Sequence, residues 1–353
     1  MESIQKTIED AWEDRASLGP ANAPGMLRRA VEEVIAGLDA GKLRVGVAGV
    51  GYLGRIHARI YAAMPDVELV GVADVDEKAV KEVAAQHGCA AYTDPKELLG
   101  KVDAVSIVVP TIHHGEVARP FLARGVHMLM EKPIAPTYEE SRELVRLADE
   151  AGIIFQVGHL ERFNAGIMEL AARVQSPRFI EVHRIGPFVA RATDVDVVTD
   201  LMIHDIDIVM ALVKSDIKSL SATGIPVITD HVDIANARIE FENGAVANVT
   251  ASRVSNKKLR RIRIFGNRHY YGLDYAEQKL EMAYAVPDPA GGSWPTVVTE
   301  AVDITPRPPL DAELEYFVKA VRTKTPPVVN GHVGLEALRV ALLVKEKIAA
   351  CTP

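Results

Sequence analysis

An apolar run from Leu43 to Ala48 passes directly into Gly49-Val50-Gly51-Tyr52-Leu53-Gly54 and then into a helical pattern ending at Ala63. No other feature constrains the fold as strongly, because each glycine has its own task where a strand meets a helix. Gly49 permits the tight turn, Gly51 lets backbone approach a pyrophosphate, and Gly54 lets helix and strand pack closely. Free amides and the helix dipole at such an N-terminus favour a phosphate. Asp74 stands 20 residues after Gly54, at the end of the second apolar run. A carboxylate there can accept both hydroxyls of an adenosine ribose, and the charge of Asp76 repels a 2′-phosphate. The pattern favours NAD over NADP; the alternative is a plain turn between strand and helix.

The same rhythm continues. Apolar runs at Val67–Ala73, Ala104–Val109, His127–Met130 and Ile153–Val157 alternate with helical segments at Glu77–His87, Glu116–Ala123 and Tyr138–Ala151. This predicts a doubly wound parallel sheet covered on both faces. Asp94-Pro95 reads as a helix start, and Thr137 with Glu140 as a capping box. After Gly158 the period changes to two, as in Arg238-Ile239-Glu240-Phe241 before the turn Asn243-Gly244 and the run Ala245–Ala251. Further strands are expected at Ile180–Arg184, Arg261–Phe265, Lys279–Met282 and Val297–Ile304. Helices are expected at Phe163–Val174, Asp200–Val213, Leu310–Val321 and Gly334–Ala349. The second part therefore reads as an α+β domain with a mostly antiparallel sheet.

Ahead of both parts, Ile4, Ile8, Ala11 and Trp12, then Leu27, Val31, Val34, Ile35 and Leu38, recur at helical spacing. Two amphipathic helices closing at Gly41 are expected. The predicted division is residues 1–42 as a helical extension, 43–158 as the cofactor domain and 159–353 as the substrate domain. The chain has 40 basic and 48 acidic side chains, a net charge of −8, and so no general attraction to nucleic acid or an anionic membrane. Cys89 and Cys351 are too few for a disulfide framework or a cysteine-built metal site. No apolar stretch reaches the roughly 18 residues of a spanning helix, and no secretory signal opens the chain, so a cytoplasmic location is expected.

Candidate chemistry falls in three main clusters and two lesser stretches. Glu131-Lys132-Pro133 ends the fifth run, and the carboxyl ends of such strands face the ligand crevice. A lysine there can bond a substrate hydroxyl and stabilise an alkoxide. Asp200, His204 and Asp207 lie at i, i+4 and i+7, on one helical face, where they can orient a sugar and pass a proton. The same spacing suits a metal, though no second histidine follows, or a solvated face. In His159-Leu160-Glu161-Arg162-Phe163-Asn164, Arg162 can hold a pyrophosphate or carboxylate and Asn164 a hydroxyl or amide; a domain-joining salt bridge is the alternative for Glu161 and Arg162. The basic run Lys257–Arg263 alternates like a strand, as a solvated sheet face or a contact for nucleotide-sugar phosphates. His113 and His114 follow Pro110-Thr111, and one of them reads as a simple helix start.

Val47 to Gly54, Pro110-Thr111 with His114, Glu131-Lys132-Pro133 and Asp200 to Asp207 together resemble the successive motifs of the glucose-fructose oxidoreductase, inositol dehydrogenase and rhizopine catabolism family. The resemblance runs from about residue 44 to the end. It implies a Rossmann domain plus an α/β domain whose open sheet builds homodimers or homotetramers. It implies a cofactor held by Gly49, Gly51, Tyr52, Leu53, Gly54, Asp74, Pro110, Thr111, His114, Glu131 and Lys132. By the same resemblance Lys132 and His204 are the catalytic pair, Asp200 aligns the substrate, and His159, Arg162 and Asn164 complete its pocket, with no metal. Met202 replaces the family's usual glycine. Val157–Asn164, Ile203–Asp207 and Lys257–Phe265 are most similar to the UDP-N-acetylglucosamine 3-dehydrogenases, with Ala165 where that pattern often has proline. This implies oxidation of the sugar 3-hydroxyl to a ketone that a pathway aminotransferase uses for lipid A. The alternatives are another polyol, such as inositol, a free sugar or a UDP-hexuronic acid, and a regulator that senses NAD and sugar without catalysis. Glu2 to Val45 resembles the N-terminal helices of tetrahydrodipicolinate N-succinyltransferase, without the hexapeptide β-helix that carries its chemistry.

Overall fold

Two sheets organise the chain. The computed structural model describes residues 41–189, 195–289 and 292–351, with Pro24 and Leu27 as single positions. The helices expected before Gly41 thus lie outside the described residues apart from those two positions.

Strands β1 (Leu43–Ala48), β2 (Val67–Ala73), β3 (Ala90–Tyr92), β4 (Ala104–Ile107), β5 (His127–Glu131) and β6 (Phe155–Gly158) form a parallel sheet in the order β3-β2-β1-β4-β5-β6. Helices α1 (Tyr52–Ala63), α2 (Glu77–His87), α3 (His114–Leu122) and α4 (Tyr138–Glu150) connect its strands. All four residues of β4 are buried, as a strand covered on both faces requires. The strand order reverses between β1 and β4, and that switch point opens a crevice at the carboxyl edge. The predicted caps form: Asp94 accepts from the amide of Lys96, and Thr137 from that of Glu140.

After α5 (Ala165–Arg173) come β7 (Phe179–Ile185), α6 (Ile203–Val213), β8 (Ile217–Ile225), β9 (Ile234–Phe241), β10 (Val246–Ser252), β11 (Leu259–Phe265), β12 (His269–Asp274), β13 (Lys279–Val286) and β14 (Thr296–Val302). These strands form a sheet in the order β14-β13-β12-β11-β7-β10-β9-β8, antiparallel except for the β7–β10 pair. Helix α6 packs on β7 and β10, and α8 (Gly331–Cys351) on α6 and β8. Inward residues such as Ile180, Val182, Ala237, Ile239, Ala247 and Val249 bury against Ile203, Ile206 and Val344. Helix α7 (Pro309–Thr323) returns to the first sheet, where Leu314 and Phe317 join Val45, Val47 and Tyr61. No helix among the described residues is long and apolar enough to cross a membrane.

Three strands lacked a sequence signal: β3 has only three residues, β8 puts Lys218, Ser219, Ser221 and Thr223 at exposed positions, and β12 is interrupted by Gly272. Two expected helices begin differently. Residues Leu160–Phe163 form a 3₁₀ turn before α5, which Asn164 caps by accepting from the amide of Gly166. Residues Val198–Met202 form a π-helical turn before α6, started by Asp196, whose carboxylate accepts from the amides of Val198 and Thr199. Such wide turns often mark functional positions, and this one carries Asp200.

Candidate active site

At the crevice, β1 delivers the glycine turn. Gly49 has a φ of +96°, and a Cβ there would lie 2.5 Å from the carbonyl oxygen of Val108, so the left-handed turn requires glycine. A Cβ on Gly51 would meet nothing within 4 Å. That open space is where a ligand can approach the backbone. No side chain accepts the first amides of α1, whereas Asp76, Thr137 and Asn164 cap α2, α4 and α5. The uncapped amides and the positive helix end suit a pyrophosphate. Asp74 Oδ2 accepts from the amide of Val50 at 2.7 Å and Oδ1 from that of Asp76 at 3.0 Å. Each oxygen keeps a lone pair for a ribose hydroxyl. Asp76 is committed to capping α2 and holds its charge beside Asp74. Tyr52, Val75 and Ile112 are largely exposed along this edge, apolar surface of the kind a bound ligand covers. Pro110 and Thr111 begin a 3₁₀ turn at the end of β4. The residues present fit a dinucleotide.

Lys132 follows β5 and reaches across to the π-helical turn. Its Nζ donates to the backbone oxygen of Asp200 at 2.7 Å and lies 3.5 Å from Asp200 Oδ1. Burial pulls its pKa below the usual lysine value, while the charges of Asp200 and Glu131 oppose that shift. His159 and His204 meet edge to face at 5.9 Å, both buried and with no ring nitrogen of His159 bonded. Burial, with the Lys132 charge second, lowers His159 to about 3 and His204 well below its ordinary value. The centre therefore brings together one partly buried amine, one carboxylate and two neutral imidazoles. Such groups can accept, hold and hand on a hydroxyl proton.

Several expected residues are occupied elsewhere. Asp207 turns to Arg162, whose Nη1 donates to its Oδ1 at 3.1 Å; burial still raises Asp207 to about 6. Asn164 is buried, capping α5 and donating to the backbone oxygen of Tyr275 at 3.0 Å. His114 is buried, with Nδ1 3.0 Å from the oxygen of Pro133 and Nε2 2.9 Å from that of Val109, so it ties the β4 edge to the Lys132 loop. Glu131 points inward to His57, at 3.3 Å, where Glu313 is also buried and held well above the usual carboxyl range by burial and by Glu131. The alternative that Asp200, His204 and Asp207 form a solvated face is corrected for His204 and Asp207, which are buried, while Asp200 is partly exposed.

Both residues of the expected salt-bridge reading are ion-paired, Arg162 with Asp207 as described, while Glu161 takes a different partner. It pairs with Arg184, whose Nη1 donates at 2.8 Å, while the same guanidinium holds Asp205 bidentately at 2.8 and 2.9 Å. All three are buried. Sequence reasoning passed over Arg184, although a charge at an inward position of β7, after Ile180 and Val182, was the available signal. Arg184→Met leaves Asp205 without its cation, and a stability loss of about 3–5 kcal/mol is expected. The measurement is the denaturant midpoint, and an unchanged midpoint contradicts the assignment.

Comparison with known proteins agrees with this architecture. The model of the oxidoreductase family with an NAD-binding Rossmann fold matches residues 43–159, and that of the GFO/IDH/MocA C-terminal domain matches 167–271. The N-terminal model of tetrahydrodipicolinate N-succinyltransferase matches residues 3–54. A UDP-N-acetylglucosamine 3-dehydrogenase of Acidithiobacillus ferrooxidans is 39% identical over 309 residues, covering 87% of this chain and 98% of that relative. A solved structure of that enzyme superposes with a TM-score of 0.81 at 38% identity, covering 88% of this chain and 98% of that chain. A myo-inositol 2-dehydrogenase of Thermotoga maritima is 26% identical, covering 87% of this chain and 96% of that relative. Matches to both sheets, together with identity along nearly the whole of a curated dehydrogenase, make this chain a member of the Gfo/Idh/MocA oxidoreductase family.

Proposed function

We propose that the protein oxidises a secondary hydroxyl of a nucleotide-sugar with NAD, and that its substrate is UDP-N-acetylglucosamine, attacked at the 3-hydroxyl. The observation that carries the reading is Lys132, held 2.7 Å from the Asp200 backbone beside two neutral imidazoles at the carboxyl edge of the parallel sheet. Bound NAD supplies the hydride acceptor. Gly49, Gly51, Tyr52, Leu53 and Gly54 form the turn for its pyrophosphate, Asp74 takes the ribose, and Pro110 and Thr111 border the nicotinamide side. Either Lys132 or His204 receives the single hydroxyl proton while the other holds the hydroxyl in place, Asp200 orients the sugar, and His159 shapes the pocket wall. Arg162 and Asn164 act from beneath by holding Asp207 and α5. His114 and Glu131 support the same loop from the core.

The name and 39% identity of the Acidithiobacillus relative support this choice of sugar. Residues 43–158 then serve the cofactor and 159–353 the substrate, with 1–42 as an extension. A homodimer or homotetramer in the cytoplasm, built on the sheet face opposite α6 and α8, completes the reading. An aminotransferase is the natural consumer of the ketone. The test is NADH formation with UDP-N-acetylglucosamine, a UDP-hexuronic acid, myo-inositol and free N-acetylglucosamine. Turnover is expected with the first; no signal with any UDP-sugar overturns the proposal.

A further inference from the structure

The basic run divides between two faces of the second sheet. Along β11, Ile262 and Ile264 are buried on the face that α6 covers. Period two sends Arg261 and Arg263 to the other face, where Arg261 pairs with Glu281 two strands away on β13 and Arg263 with Glu181 on the adjacent β7. Those two are the solvated sheet face expected from the alternation. The same parity places Arg260 with Ile262 and Ile264, on the site side. Its register partner on β7 is Arg184, buried beneath it.

Arg260 differs from the other cations here. Arg184 is committed to Asp205 and Glu161, Arg162 to Asp207, and Lys132 to Asp200. The Arg260 guanidinium makes no hydrogen bond among the described residues; Glu161 Oε1 is its nearest carboxylate oxygen, 3.7 Å from Nη1. Half of its side chain, 50%, is exposed. Its contact with Glu161 and its register with Arg184 set it over the buried Arg184–Asp205–Glu161 cluster, and its charge bears on His204 and Asp205. Lys257 and Lys258 stand exposed just before it and add to the local positive potential. A planar, half-exposed fork with unused donors matches the paired oxygens of a phosphate.

We infer that Arg260 is an anion subsite for a phosphate of the substrate, setting the preference for a phosphorylated sugar over the free one; this rests on the nucleotide-sugar reading above. The alternative role is to neutralise Glu161 alone. The test uses the full chain loaded with NAD and compares Arg260→Gln, Arg260→Lys and the outer-face control Arg261→Gln. UDP binding is measured by calorimetry, and KM and kcat with UDP-N-acetylglucosamine. Loss of a charged hydrogen bond predicts that Arg260→Gln raises the UDP Kd and the substrate KM about 10- to 100-fold, with kcat nearly unchanged. Arg260→Lys recovers part of the loss, and Arg261→Gln matches the wild type. A fall in kcat or stability with UDP affinity unchanged assigns Arg260 to Glu161 and overturns the subsite, as does a wild type that fails to bind millimolar UDP. UDP binding that depends on Arg260 without UDP-sugar turnover keeps the subsite and removes the substrate reading. Turnover with an unchanged KM in Arg260→Gln does the reverse.

Discussion

Lys132→Ala is expected to lower turnover by about 10²–10⁴-fold, the usual contribution of a positioned proton acceptor, while the NAD dissociation constant changes far less. The separation follows from the geometry. In the proposed reading the glycine turn and Asp74, on β1 and β2, take the cofactor, whereas the amine lies against Asp200. The pH profile supplies a second readout. An amine that accepts a proton works in its neutral form, so the rate rises with pH through the Lys132 pKa, which burial draws below the usual lysine value. The Asp200 charge opposes that displacement. Asp200→Asn therefore moves the alkaline inflection to lower pH, and the backbone contact to Lys132 remains possible. His204 is already neutral because burial holds it well below its ordinary value, so no inflection from it is expected near neutrality. Wild-type turnover in Lys132→Ala, or an inflection that Asp200→Asn moves upward, contradicts the proposed proton path.

The second large effect concerns two glycines that behave differently. A Cβ on Gly54 would sit 1.9 Å from the carbonyl oxygen of Gly49, so α1 must move away from the turn. Ordinary overpacking costs about 1–3 kcal/mol, and a clash with backbone belongs at or above the upper end. Gly54→Ala is expected to lower the melting temperature and to weaken NAD binding by at least about 100-fold, since the pyrophosphate turn itself is displaced. Gly51→Ala meets nothing within 4 Å and should melt as the wild type does, yet lose NAD affinity because the new methyl group occupies the ligand's space. Calorimetric melting with NAD titration separates the pair. Equal NAD affinity in Gly51→Ala and the wild type places the pyrophosphate elsewhere.

Much of the parallel sheet was legible because its signals are local. A strand, three glycines, a helix and an acid at the next strand end follow one another within about thirty residues, and each restricts backbone or charge at its own position. The second sheet was less legible. Strand β8 pairs only at the sheet edge and exposes much of its length, so its sequence alternates weakly. The start of α6 was blurred because a π-helical turn and an α-helix carry nearly the same apolar spacing; the wider turn shows only in the backbone.

Sequence alone determined the doubly wound parallel sheet, the glycine turn and the presence of Lys132, Asp200 and His204 at strand and helix ends. Tertiary structure decided the partners. Lys132 finds Asp200 from 68 positions away, Arg162 takes Asp207 rather than its neighbour Glu161, and Glu161 takes Arg184 from the second sheet. Local order follows from period and backbone freedom, which neighbouring residues set. A buried charge settles on whichever opposite charge the packed elements bring within hydrogen-bonding reach, because burying it alone costs several kcal/mol.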